Sequence, residues 1–122
     1  MKLEPIGFVR ANLGPSAEIY VYERFAEALD GVDRCAYLWI LFWMHMLGEE
    51  DRATLRVHPR GDTSRPKQGV FSLRSPVRPN PIGLTRVKLL ERRGNILLVQ
   101  GLDAIEGSPV LDIKPWVEDI DA

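Results

Sequence analysis

Three prolines within six residues, Pro76, Pro79 and Pro81, constrain the backbone of Arg74-Ser75-Pro76-Val77-Arg78-Pro79-Asn80-Pro81-Ile82-Gly83. Each proline fixes its own φ and biases the preceding residue toward extended geometry, so Ser75, Arg78 and Asn80 are restricted before folding begins. Lacking three backbone N–H groups, the stretch suits neither a helix interior nor a central strand. It can form a stiff loop that presents two guanidinium groups, a hydroxyl and a carboxamide. Such a loop suits a polar or anionic ligand held at little entropic cost. A surface connector with solvated arginines is the plainer reading of the same residues.

Either side of this loop the chain reads as short strands separated by Gly and Pro. Residues 6–10, 18–23, 54–58, 84–91, 96–101 and 110–113 are strand-like, and several alternate in hydrophobic character. A short strand over 69–73 delivers the chain into the proline loop. Residues 24–30 suit a helical turn closed by Gly31, and 92–95 a hairpin turn. The apolar segment 35–45 suits a central strand buried on both faces, although periodicity alone equally fits a buried helix. Many short, punctuated strands mean an all-β sandwich or barrel. At 122 residues the chain is long enough for one core, and one domain over 1–122 is expected.

Charge is segregated. Residues 52–93 carry eleven Lys and Arg against Asp62 and Glu91, whereas the flanks carry five basic and fifteen acidic residues. A basic block of this size favours phosphate or another anion, unless the acidic flanks fold back and cancel its field. The longest apolar run, 35–47, is too short for a membrane helix, and the first residues lack the features of a signal peptide. Cys35 is the only cysteine, so no intrachain disulfide can form. A soluble cytoplasmic protein is expected.

No G-x-G-x-x-G follows a strand and no P-loop is present. Two histidines and one cysteine without ligand spacing give no basis for a metal site. No strand–turn–helix elbow surrounds Ser75, which argues against a nucleophilic serine. His45 closes the apolar segment, where a core histidine and a ligand contact are both consistent with the sequence. Asp103 and Glu106 flank a tight turn, either solvated or free to accept hydrogen bonds from a ligand. Asp112 and Lys114 stand two apart on a strand and so face the same side.

Residues 69–84, Gly69-Val70-Phe71-Ser72-Leu73 followed by Arg74 to Gly83 and Leu84, resemble the signature of the TsaA-like (TrmO-type) family. Three further segments agree in order and spacing: residues 38–45, Val57-His58-Pro59-Arg60-Gly61, and 101–116. The resemblance covers roughly residues 5–117. It implies a small single-domain β-barrel of short strands with long Pro/Gly-rich loops. It also implies a homodimeric methyltransferase that uses S-adenosyl-L-methionine without a Rossmann fold. The family's best-known activity is N6-methylation of threonylcarbamoyladenosine beside the anticodon of a tRNA.

By the same resemblance, cofactor contacts fall on His45, Met46, Arg74, Leu84 and the turn Asp103, Ala104, Ile105 and Glu106. Arg78 is assigned to an anionic substrate group, Asn80 to orienting the adenine or its amine, and Lys114 to positioning. Tyr37 stands where the family usually has His, and a family loop near the N-terminus is shortened to Leu13-Gly14-Pro15. A small-molecule methyl acceptor, or a binding module without turnover, remain alternatives to tRNA.

Overall fold

The computed structural model describes all 122 residues, and the chain forms two compact units, residues 1–43 with 83–122, and residues 44–82. Its strands are β1 (Gly7–Asn12), β2 (Ser16–Val21), β3 (Tyr37–Trp43), β4 (Arg56–Val57), β5 (Gln68–Gly69), β6 (Ile82–Arg93), β7 (Ile96–Gln100) and β8 (Pro109–Pro115). Six of them close an antiparallel barrel in the order β1-β2-β7-β6-β3-β8. The all-β expectation and the β-barrel are therefore observed.

Strand periodicity explains which residues form the core. A closed barrel has one interior, so every second residue points in. Ala17, Ile19 and Val21 of β2, Leu38, Ile40 and Phe42 of β3, and Leu97 and Val99 of β7 are all buried. Truncating such an Ile or Leu to Ala costs about 2–5 kcal/mol. The segment expected to be buried on both faces is instead one-sided. Tyr37, Trp39, Leu41 and Trp43 alternate with the buried residues and are half-buried on the outer face. The physical reason is closure, since a closed barrel gives each strand one face toward its single interior.

Two glycines belong to this packing. A Cβ on Gly7 would lie 2.0 Å from the Tyr20 carbonyl oxygen, and one on Gly83 would lie 2.3 Å from the Phe42 ring. Both sites need the missing side chain. The expected helical turn over 24–30 appears as a 3₁₀ segment, Glu23–Leu29, which buries Leu29. The expected hairpin is formed by β6 and β7, joined through Gly94 at φ 58 and Asn95.

In the second unit, α1 (Glu49–Ala53) precedes a two-residue ladder between β4 and β5. The strand expected over 69–73 is not formed. Only Gly69 pairs, and Val70–Ser72 coil into a 3₁₀ turn. The Ser72 hydroxyl donates to the Gly69 carbonyl at 2.7 Å and accepts from Gln68 Nε2 at 2.8 Å. Such local side-chain bonds compete with ladder pairing. This turn buries Val70 and leaves Phe71 80% exposed.

Candidate functional site

The proline loop is held from two sides within residues 44–82. Arg52, at the end of α1, donates from Nε to the Pro79 carbonyl at 2.8 Å and from Nη2 to Asn80 Oδ1 at 3.4 Å. Arg78 turns back on its own loop, with Nη1 donating to the carbonyls of Leu73 at 3.2 Å and Ser75 at 2.9 Å. Ser75 Oγ accepts from the Val77 N–H at 3.1 Å, which places this hydroxyl in a local turn. Because Arg52 can only donate, Asn80 Oδ1 faces it and the amide nitrogen keeps both of its donors for a ligand. Asn80 itself is exposed.

Arg74 lines a cleft of about 1000 Å³ in this unit, together with His58, Arg60, Phe71, Pro76 and Val77. Sequence reasoning picked out Arg74 but not His58, Arg60 or Phe71 as site residues. The His58-Pro59-Arg60-Gly61 motif was the available signal for two of them. Arg60 has φ 53 and ψ 27, the only positive φ outside glycine. His58 Nδ1 stands 2.8 Å from the Arg65 carbonyl, an acceptor, so Nδ1 carries the proton and Nε2 is left for other partners. His45 and Met46 lie past the end of β3 and are exposed, Met46 at 74%. His45 is thus no core histidine.

The barrel unit carries the remaining expected residues. The turn from Asp103 to Glu106 is anchored by Asn12, whose Nδ2 donates to the Ala104 carbonyl at 2.7 Å and the Leu102 carbonyl at 3.3 Å. The Asn12 N–H donates to Glu106 Oε1 at 3.3 Å, and the Thr85 hydroxyl donates to Asp103 Oδ1. Thr85 follows Leu84 directly on β6, so the turn is bonded to the residue next to Leu84. Ala104 is buried, while Leu84 and Ile105 expose about half their surfaces. The sequence gives no pointer to Asn12, since a bond across ninety positions leaves no local signal.

Lys114 sits on the outer face opposite Trp39, with its Nζ 3.1 Å from Asp112 Oδ2. The expected same-side pairing is therefore observed. Tyr37 packs edge-on against Trp116 at 5.7 Å, and the Arg86 guanidinium lies 4.9 Å from the Tyr37 ring and 4.7 Å from that of Trp116. A phenol here completes a cation–π stack.

The basic block is less available than its composition implies. Arg92 donates to the Gly94 carbonyl at 2.9 Å and the Leu29 carbonyl at 3.2 Å, and lies 3.5 Å from Asp33. Arg93 pairs with Glu91 at 2.9 Å; this hydrogen bond holds the Glu91 carboxyl below its ordinary pKa and the Arg93 guanidinium above its own. Arg60 and Arg74, in contrast, have no internal hydrogen bond or ion pair.

The side chains present fit S-adenosyl-L-methionine by chemistry. Within residues 44–82, an unpaired guanidinium at Arg74 suits its carboxylate and exposed Met46 an apolar surface; within the barrel unit, taken by itself, Leu84 and Ile105 offer exposed apolar side chains. Asp103 keeps Oδ2 beyond its bond to Thr85, an acceptor suited to hydroxyl or ammonium groups. No helix is long and apolar enough to cross a membrane.

Residues 10–122 match the family model described as the tRNA-methyltransferase O N-terminal domain. Over 135 residues the chain is 42% identical to a "Probable S-adenosyl-L-methionine-binding protein" of Methanothermobacter thermautotrophicus, covering 100% of this chain and 94% of that protein. It is 40% identical over 102 residues to the "tRNA (adenine(37)-N6)-methyltransferase" of Rattus norvegicus, covering 84% of this chain but 23% of that one. The crystal structure of TrmO from Pseudomonas aeruginosa superimposes with a TM-score of 0.77 at 30% identity, covering 100% of this chain and 58% of that chain. The chain thus spans somewhat over half of the solved TrmO chain.

Proposed function

The chain belongs to the tRNA-methyltransferase O N-terminal-domain family, and on that premise we propose that it is an S-adenosyl-L-methionine-dependent methyltransferase acting on tRNA. The acceptor in this reading is N6 of threonylcarbamoyladenosine next to the anticodon. The observation that carries it is the proline loop, where Arg52 orients Asn80 so that its amide donors stay free. Free amide donors suit the ring-nitrogen acceptors of an adenine edge or a carbonyl beside an amine.

Arg74, His45 and Met46 are assigned to the cofactor, as are Leu84 and the residues Asp103, Ala104, Ile105 and Glu106. When bound, the cofactor supplies an electrophilic methyl group on a sulfonium. Asn80 donates to the acceptor base and so aligns the attacking nitrogen, which is the main task left to the protein. Arg78 keeps Nε and Nη2 for an anionic group of the substrate while Nη1 braces the loop. Lys114, exposed and tethered to Asp112, is assigned to positioning. The reading includes a cytoplasmic homodimer, which sedimentation and cell fractionation check.

Asn80→Asp tests the assignment. The substitution removes the donors and places a carboxylate beside Arg52, an exposed pair worth about 0–1 kcal/mol. Melting temperature should therefore hold while single-turnover methylation of tRNA falls at least about 100-fold. Near-normal turnover would remove Asn80 from the site. Nucleoside mass spectrometry of tRNA from a deletion strain tests the substrate, and an unchanged modification profile would transfer the reading to a small-molecule acceptor.

A further inference from the structure

Phe71 and Arg60 share the cleft of the second unit, and neither has a structural task that explains its placement. The Phe71 ring is 80% exposed. Leaving a Phe side chain in water forgoes about 1.5–3 kcal/mol of burial. Its backbone is nonetheless fixed, with Val70 buried and donating to the Leu55 carbonyl at 2.9 Å, and Leu73 N–H donating to the Val70 carbonyl at 3.2 Å. A ring presented on a fixed turn is a platform, not a frayed end.

Arg60 carries an independent signal. Its left-handed backbone costs an L-residue about 1–2 kcal/mol, a cost that glycine would avoid. Its guanidinium has no partner. The neighbouring acid, Asp62, is engaged by the Ser64 N–H at 3.0 Å, the Ser64 hydroxyl, and Arg65 at 3.7 Å. No carboxylate lines the cleft, while Arg60, Arg74 and His58 all do. An exposed aromatic ring and an unpaired guanidinium lining one cleft, with no carboxylate in its lining, match a base and its phosphate in unpaired RNA.

We propose that Phe71 stacks an unpaired base of the tRNA loop and Arg60 takes a neighbouring phosphate, making their part of the cleft the grip for the RNA strand while Arg74 keeps its cofactor assignment. The inference rests on the tRNA reading above and adds two residues to it.

The test measures binding of the full chain to a synthetic anticodon stem–loop RNA across a salt series, with calorimetry of S-adenosyl-L-methionine alongside. Phe71→Ala should weaken RNA binding about tenfold, and Phe71→Trp should restore it. Arg60→Gly keeps the backbone conformation and removes the charge, so the log–log salt slope should fall by about 0.7, while Arg60→Lys should retain it. Cofactor affinity should change less than about twofold in all four. Wild-type RNA affinity and slope in Phe71→Ala and Arg60→Gly would overturn this inference and leave the tRNA reading intact. No RNA binding by the wild type would overturn both. Equal loss of RNA and cofactor affinity in Phe71→Ala, with an unchanged melt, would make the ring part of the cofactor site and overturn its assignment to RNA.

Discussion

Gly83→Ala places one methyl group against the ring of Phe42. The ideal Cβ would stand 2.3, 2.6 and 2.7 Å from three Phe42 ring atoms. Relaxed carbon pairs sit at about 3.5–4.0 Å, so the ring must retreat by about 1 Å. Phe42 is 5% exposed inside the barrel, where there is little free space to receive it. Overpacking of this kind costs about 1–3 kcal/mol. With an unfolding entropy of about 2.1 cal/mol/K per residue, that corresponds to a fall of about 4–12 °C in melting temperature for a chain of this size. Thermal melts of the single variants and of Gly83→Ala with Phe42→Leu check the argument. The smaller side chain should relieve the clash, so the double variant should be more stable than the sum of the two singles predicts, by about 1 kcal/mol. A Gly83→Ala melt within 1 °C of wild type, measured to about that precision, would refute the packing account. Gly83 would then stand in the loop signature for another reason.

Other expectations follow from individual contacts. Gly7→Ala should be more damaging than Gly83→Ala, because its Cβ meets the Tyr20 backbone rather than a ring that can rotate; expression and melts compare them. Arg92→Gln should lower stability by about 1–2 kcal/mol in denaturant titrations through its lost bonds to Leu29 and Gly94. Arg93→Gln should cost less, since its partner Glu91 is exposed. Asn12→Ala should weaken S-adenosyl-L-methionine binding about tenfold by calorimetry, because it releases the carbonyls of Leu102 and Ala104 that set the Asp103–Glu106 turn.

Periodicity and punctuation were enough to give the all-β class, and the prolines were enough to exclude regular structure from residues 76–81. Both follow from local sterics, which act whatever the chain packs against. Local pattern also placed Asp112 and Lys114 on one side, because alternation along a strand is itself a local property. What it missed lay beyond its reach. That β3 is covered on one side follows from barrel closure. That residues 70–72 coil follows from a competition between Ser72 and the ladder that propensity does not resolve. Asn12 became the anchor of the Asp103–Glu106 turn only when β1 was brought across the barrel end. The same holds for charge: the sequence shows a basic block, but only the fold engages Arg92, Arg93 and Arg86 and leaves Arg60 and Arg74 free. Charge content is a property of composition, whereas availability depends on which carbonyls, carboxylates and rings arrive beside each guanidinium when the chain closes.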